Sequence, residues 1–184
     1  MSQTFTVFET VNGFAGIAWS AKGVTNFALP AQSREAAVRY MHRRAPQAVE
    51  GEPTASIAKV IADARRYFLG ERIDFSDVPL DLHTGDSFFA QVYARVRALD
   101  YGETTTYGAV ARELGAEPQA ARDVGQAMAT NPIPLIVPCH RVLAAGGKIG
   151  GFSAPGGSHS KAKMLELEQA LPKAAEAAQA TFGF

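Results

Sequence analysis

Residues 131–142 read Asn-Pro-Ile-Pro-Leu-Ile-Val-Pro-Cys-His-Arg-Val, and any fold for this chain must accommodate that run. It delivers the only cysteine, Cys139, at the end of an apolar stretch, with His140 directly behind it. Pro138 fixes the backbone immediately before the thiol. Asn131 heads the run between two helix-like segments. Gly146, Gly147, Gly150 and Gly151 follow it, enough glycine for a tight, close-packed loop. A lone cysteine is more often a small buried hydrophobe than a nucleophile. The rest of the chain has to decide between those readings.

Composition narrows the field. A chain of 184 residues, 47% hydrophobic and 20% charged, suits one or two small globular domains with a real core. No apolar run reaches the roughly 18 residues of a membrane span, and no basic segment precedes an apolar one at Met1. A single cysteine excludes an intramolecular disulfide framework and a multi-cysteine zinc site. A reducing, cytoplasmic setting without membrane, metal or cofactor is therefore expected. Lys+Arg and Asp+Glu both number 18. A nucleic-acid partner would thus be held through few phosphate contacts, or by charges segregated in space.

The N-terminal part reads as a three-stranded meander. Thr4 to Thr10 and Phe14 to Ser20 flank Asn12-Gly13, the strongest short hairpin signal, and Lys22-Gly23 turns the chain into Val24 to Leu29. Ser33 is placed to cap a helix reaching about His42, and residues 44–55 read as loop. Ile57, Val60, Ile61, Ala64 and Phe68 recur at helical spacing, and Gly70 stops that helix. Phe75 to Leu82 reads as an extended connector. Nothing in this region suggests catalysis, and its basic residues read as solvated surface.

The second half changes character. Ser87 to Leu99 is helical, and a short helix carrying Tyr107, Val110, Ala111 and Leu114 closes at Gly115. Pro118 suits the first turn of the next helix. That helix sets Ala121, Val124, Gly125 and Met128 on one face, with Arg122, Gln126 and Ala129 on another. Two short helices around a glycine turn form a helix-turn-helix pattern, although many paired core helices look the same. The second helix is slim, rich in alanine and glycine, and runs straight into Asn131.

The chemistry needs a base. A free thiol has a pKa near ~8.5, so only about 3% is thiolate at neutral pH. In extended chain Cys139 and His140 point to opposite faces, so they cooperate only through a bend or a bridging water. A third group should orient the imidazole. On the helix expected from Lys161 to Ala170, Glu168 shares a stripe with Met164 and Leu165, so it either points inward or is a solvated glutamate.

The run Pro138-Cys139-His140-Arg141-Val142 behind Asn131-Pro132-Ile133-Pro134 resembles the active-site signature of the O6-alkylguanine-DNA alkyltransferases. The likeness extends over about residues 85–169. It takes in Gly102-Glu103-Thr104-Thr105-Thr106-Tyr107-Gly108, Ala120 to Met128, Gly150-Gly151-Phe152-Ser153 and the Lys161 to Glu168 helix. It implies an α+β protein: an N-terminal ribonuclease H-like α/β domain over 1–82, a mainly helical DNA-binding domain with the helix-turn-helix and active-site loop over 83–170, and a tail over 171–184.

By the same resemblance the protein repairs DNA as a monomer, moving an alkyl group from guanine O6 to itself once per molecule. Cys139 is the acceptor, His140 its base through a water, Glu168 the carboxylate that orients the histidine, and Asn131 the hinge of the loop. Tyr107 rotates the flanking phosphate and donates a proton toward guanine N3. Arg122 enters the duplex where the base has left. Ala121, Gly125, Gln126 and Ala129 lie on the helix set into the minor groove. Met128, Val142, Phe152 and Ser153 line the pocket for the flipped base. The logic is coherent, because a stacked base cannot present O6 to a buried thiol and must be flipped first. There are departures from the family pattern. Phe152 stands where many relatives carry tyrosine, Ala129 where some are basic, and the loop from Ala154 to His159 is longer than in some. Three other readings remain beside this one: a non-reactive sensor of alkylated DNA, a cysteine hydrolase using Cys139, His140 and Glu168, and a transcription regulator with a structural cysteine.

Overall fold

Gly13 adopts φ 116°, a conformation open to glycine, and around it β1 (Gln3–Thr10) and β2 (Gly13–Trp19) pair antiparallel. β3 (Val24–Ala31) pairs antiparallel with β2. In this computed structural model, which describes residues 2–171, the meander is extended by a fourth strand, β4 (Ala48–Glu50), giving the order β3-β2-β1-β4. The stretch 44–55 is therefore not all loop. β4 runs parallel to β1, with Gln3 opposite Ala48. Three residues with only Ala48 buried leave no alternation to read; the strand exists because β1 offers an unpaired edge.

Helix α1 (Arg34–Arg44) starts where the Ser33 hydroxyl accepts the Ala36 amide, and it runs slightly beyond His42. Its Met41 packs into a cluster with Phe5, Ala18, Ala28, Ala45 and Ala48. A Cβ at Gly16 would come within 2.7 Å of the Met41 side chain, so the glycine is what lets α1 lie so close to the sheet. Helix α2 (Ala55–Phe68) buries Ile57, Val60, Ile61, Ala64, Tyr67 and Phe68. Burying a side chain of this size is worth about 1.5–3 kcal/mol.

The chain divides into two compact units. Among the described residues, one gathers 2–83 together with Pro132–Ile136; the other gathers Thr84–Asn131 and 137–171. Pro132–Ile136 thus belongs with the sheet unit: the Phe27 amide on edge strand β3 donates to the Pro132 carbonyl over 2.9 Å. Ile133, Leu135 and Ile136 are buried there, Leu135 in the left-handed region at φ 78°.

The second unit is mainly helical. It contains α3 (Ser87–Arg97), capped by Asp86, and α4 (Tyr107–Glu113), capped by the Thr106 hydroxyl. A glycine turn at Gly115 and a 3-10 turn at Pro118–Ala120 lead into α5 (Ala121–Thr130). Strand β5 (Thr105–Thr106) pairs parallel with β6 (Val142–Leu143). Helix α6 spans Gly157–Leu167, so it begins before Lys161 and leaves Glu168 as its C-terminal cap. The expected tail lies outside the described residues from 172 onward. No helix among the described residues is long and apolar enough to cross a membrane.

Candidate active site

Cys139 does not sit in extended chain. Pro138 leads into a 3-10 turn over Cys139–Arg141, which supplies the bend that the adjacency of cysteine and histidine requires. The turn is held between α5 and β6. On one side the Asn131 side-chain amide donates to the Val137 carbonyl over 2.9 Å. On the other, the two-residue ladder of β5 and β6 sets Thr105 opposite Val142 and so brings Tyr107, the first residue of α4, to the same place.

The result is a cavity of about 350 Å³ lined by Tyr107, Gly125, Met128, Ala129, Cys139, Gly151, Phe152, Ser153 and Lys161. Its wall along α5 is slim because Gly125 and Ala129 contribute almost no side chain. The Ser153 hydroxyl donates to the Ala129 carbonyl over 2.6 Å, tying the glycine-rich loop to the end of α5. Of the residues singled out from the sequence, Val142 is buried behind this cavity, while Arg122 and Gln126 are exposed on α5 and Ala121 is half-buried.

His140 is fully buried, and its Nε2 donates to Glu168 Oε1 over 2.8 Å. Glu168 points inward, and donors surround both of its oxygens. Arg141 Nε donates to Oε2 over 2.8 Å and Arg141 Nη2 to Oε1 over 3.0 Å. The Gly102 amide donates to Oε2 over 3.1 Å. Gly102 adopts φ 79°, and a Cβ there would lie 3.0 Å from the Glu168 carbonyl, so glycine is what allows this approach.

The electrostatics follow from burial. Desolvation pushes the Cys139 thiol up, opposed by a hydrogen bond from Asn131 and by the Lys161 ammonium. Desolvation pulls His140 down, opposed by Glu168. Burial by itself would raise the Glu168 carboxyl, yet the hydrogen bonds and charges of His140 and Arg141 hold it well below the usual carboxylate range. The Tyr107 phenol is raised by burial and by the neighbouring thiolate, so it stays a proton donor. Such opposed shifts, gathered around one cavity, mark chemistry more than packing.

Two participants escaped the sequence reading. Lys161 is fully buried, donates to the Val142 carbonyl over 2.6 Å, and is lowered to about 8, chiefly by desolvation. Arg141, quoted only as part of the motif, grips Glu168. A signal for Lys161 was available: it lies three, four and seven residues before Met164, Leu165 and Glu168, on the same helical stripe. A lysine is rarely counted as core.

Comparison with known proteins agrees with this geometry. The family model described as "6-O-methylguanine DNA methyltransferase, DNA binding domain" matches residues 87–170. A Methanopyrus kandleri methylated-DNA–protein-cysteine methyltransferase is 40% identical over 127 residues, covering 67% of this chain and 92% of that protein. The chain belongs to the methylated-DNA–protein-cysteine methyltransferase family. Another member, from Metallosphaera sedula, is 47% identical over 107 residues, 58% of this chain; the matched stretch spans 64% of the Metallosphaera protein. The crystal structure of Mycobacterium tuberculosis OGT in complex with DNA superposes with a TM-score of 0.72 at 34% identity, covering 92% of this chain and 96% of that one. This methyltransferase likeness therefore takes in both units of the chain, whereas the family model matches the second unit and, of the first, only Pro132–Ile136.

Proposed function

We propose that this methyltransferase-family protein repairs alkylated double-stranded DNA by moving an alkyl group from guanine O6 to Cys139, once per molecule. The observation that carries the reading is the Cys139 cavity itself, with the His140–Glu168–Arg141 network behind the thiol and the Tyr107 hydroxyl on the cavity wall. Because Nε2 of His140 is committed to Glu168, Nδ1 is the ring nitrogen that accepts the thiol proton.

The thiolate attacks the alkyl carbon, the carbon–O6 bond breaks, and its electron pair leaves with the guanine. The base takes up one proton, for which Tyr107 is the donor; the thiol proton passed to His140 balances it. The product is a thioether, which has no hydrolytic route back to thiol. Lys161 offsets the negative charge that develops on sulfur. Asn131 holds the loop by its bond to Val137 and donates to the sulfur. Met128, Phe152, Ser153 and Val142 shape the base pocket. Arg122, with Ala121, Gly125, Gln126 and Ala129, forms the face of α5 that enters the minor groove, and Arg122 fills the place of the flipped nucleotide. The protein acts as a monomer in the cytoplasm.

Intact-protein mass spectrometry after incubation with a duplex carrying one O6-methylguanine tests this. A gain of about one methylene mass, stopping at one per protein and absent from Cys139→Ser, is expected. No adduct on folded protein that still binds the duplex would instead mean a sensor.

A further inference from the structure

Behind Cys139 lies a buried cluster with more cations than anions. Among the described residues Glu168 is its one carboxylate, and Arg141 and His140 both bond to it. All three residues are buried, with His140 at 0% exposure and Glu168 at 3%. Among the described residues, Lys161 is a further charged group bearing on the ring, and the Cys139 thiol belongs to the adjacent residue. A guanidinium does not give up its proton in a protein. Once Arg141 neutralises Glu168, a second cation on the imidazole would be an uncompensated buried charge.

We propose that Arg141 is a positioning residue: by gripping Glu168 on both oxygens it keeps His140 a neutral base with its proton on Nε2. The geometry gives the fork little freedom. Arg141 Nη1 donates to the Leu99 carbonyl over 2.7 Å, and the guanidinium sits 5.9 Å from the centroid of the Tyr101 ring. The Tyr101 hydroxyl in turn donates to the Leu167 carbonyl, next to Glu168. With Arg141 absent, Glu168 and a protonated His140 would form the neutral pair, and the ring could no longer accept the thiol proton. The two-point grip also fixes the carboxylate plane, and with it the ring orientation that aims Nδ1.

This inference rests on His140 acting as the base of the proposed transfer, and its test separates the two ideas. The full chain, labelled with ¹⁵N-histidine, is followed by long-range ¹H–¹⁵N NMR from pH 5 to 9, with His140→Gln to assign the ring. Wild-type His140 is expected to be neutral at pH 7 and protonated on Nε2. In Arg141→Gln the imidazolium should persist to higher pH, and the ratio of single-turnover transfer rates at pH 6 and pH 8 should fall roughly tenfold. Arg141→Lys, which keeps the charge without the fork, should restore the neutral ring. A His140 titration unmoved in folded Arg141→Gln makes Arg141 merely structural and overturns the proposal. If the Gln variant does not fold, wild type decides alone: an imidazolium at pH 7 overturns it and a neutral, Nε2-protonated ring supports it. Unimpaired transfer by His140→Gln would sink the base reading, while the charge state of the ring is still read directly.

Discussion

The Lys161 ammonium and the Val142 carbonyl meet over 2.6 Å in a contact from which solvent is excluded on both sides. A lysine held this way is costly to fold around, and it faces the cavity that contains the thiol. Stability has been exchanged for charge at the reacting atom.

That exchange is measurable. Lys161 titrates at about 8 in the folded protein against an ordinary 10.5. Between those values the unfolded chain binds more protons, so this residue makes stability rise as pH climbs from 8 to 10.5. The full span corresponds to about 3 kcal/mol. Lys161→Met should flatten the rise, raise stability at pH 7 by about 1–3 kcal/mol, and slow transfer at least about tenfold. Denaturant unfolding across this range and single-turnover kinetics check the two halves.

Glu168 behaves in the opposite sense. Its folded carboxyl is held below the ordinary range, so the stability it confers is complete above the unfolded value of about 4.3 and is lost as pH falls through the folded one. Glu168→Gln should blunt the acid side of the stability profile. At pH 7 it should cost about 3–5 kcal/mol, because Arg141 is left buried without its anion. Acid unfolding followed by circular dichroism gives both quantities.

Arg122 is exposed on α5 and lies outside the residues lining the cavity. If it replaces the flipped nucleotide, Arg122→Ala should slow transfer from an O6-methylguanine duplex by about tenfold or more. Transfer from the free base O6-benzylguanine should be nearly unchanged. Equal losses on both substrates would show instead that Arg122 supports the pocket.

The salt dependence of duplex binding should be shallow. The chain has no net charge, and Arg141 and Lys161 are buried where no phosphate reaches them. Arg95 is paired with Glu113, and exposed Ala129 offers no cation. A plot of log K against log salt should have a slope smaller in magnitude than about 4. A steep slope would reveal a segregated basic face.

Local pattern carried much of this protein. Asn12-Gly13 specified the hairpin, the apolar spacing from Ile57 to Phe68 specified α2, and the Pro138–Val142 motif with its flanks pointed to the alkyltransferase family. Each rests on neighbours in sequence, where backbone sterics and helical or strand periodicity operate. Other features depended on residues that are distant in sequence. His140 and Glu168 are 28 positions apart and Gly102 and Glu168 are 66 apart, and no local preference encodes such pairs. The same holds for β4, which exists only beside β1, and for the placement of Pro132–Ile136 against edge strand β3. Lys161 makes the sharpest case. By its chemistry it belongs in water, and only the tertiary packing of α6 against the Cys139 turn and β6 decides that it is buried. The sequence by itself determined which chemical groups were available and which segments could be helix or strand. The tertiary structure decided which charges lost their water, and desolvation is what turns those groups into a site.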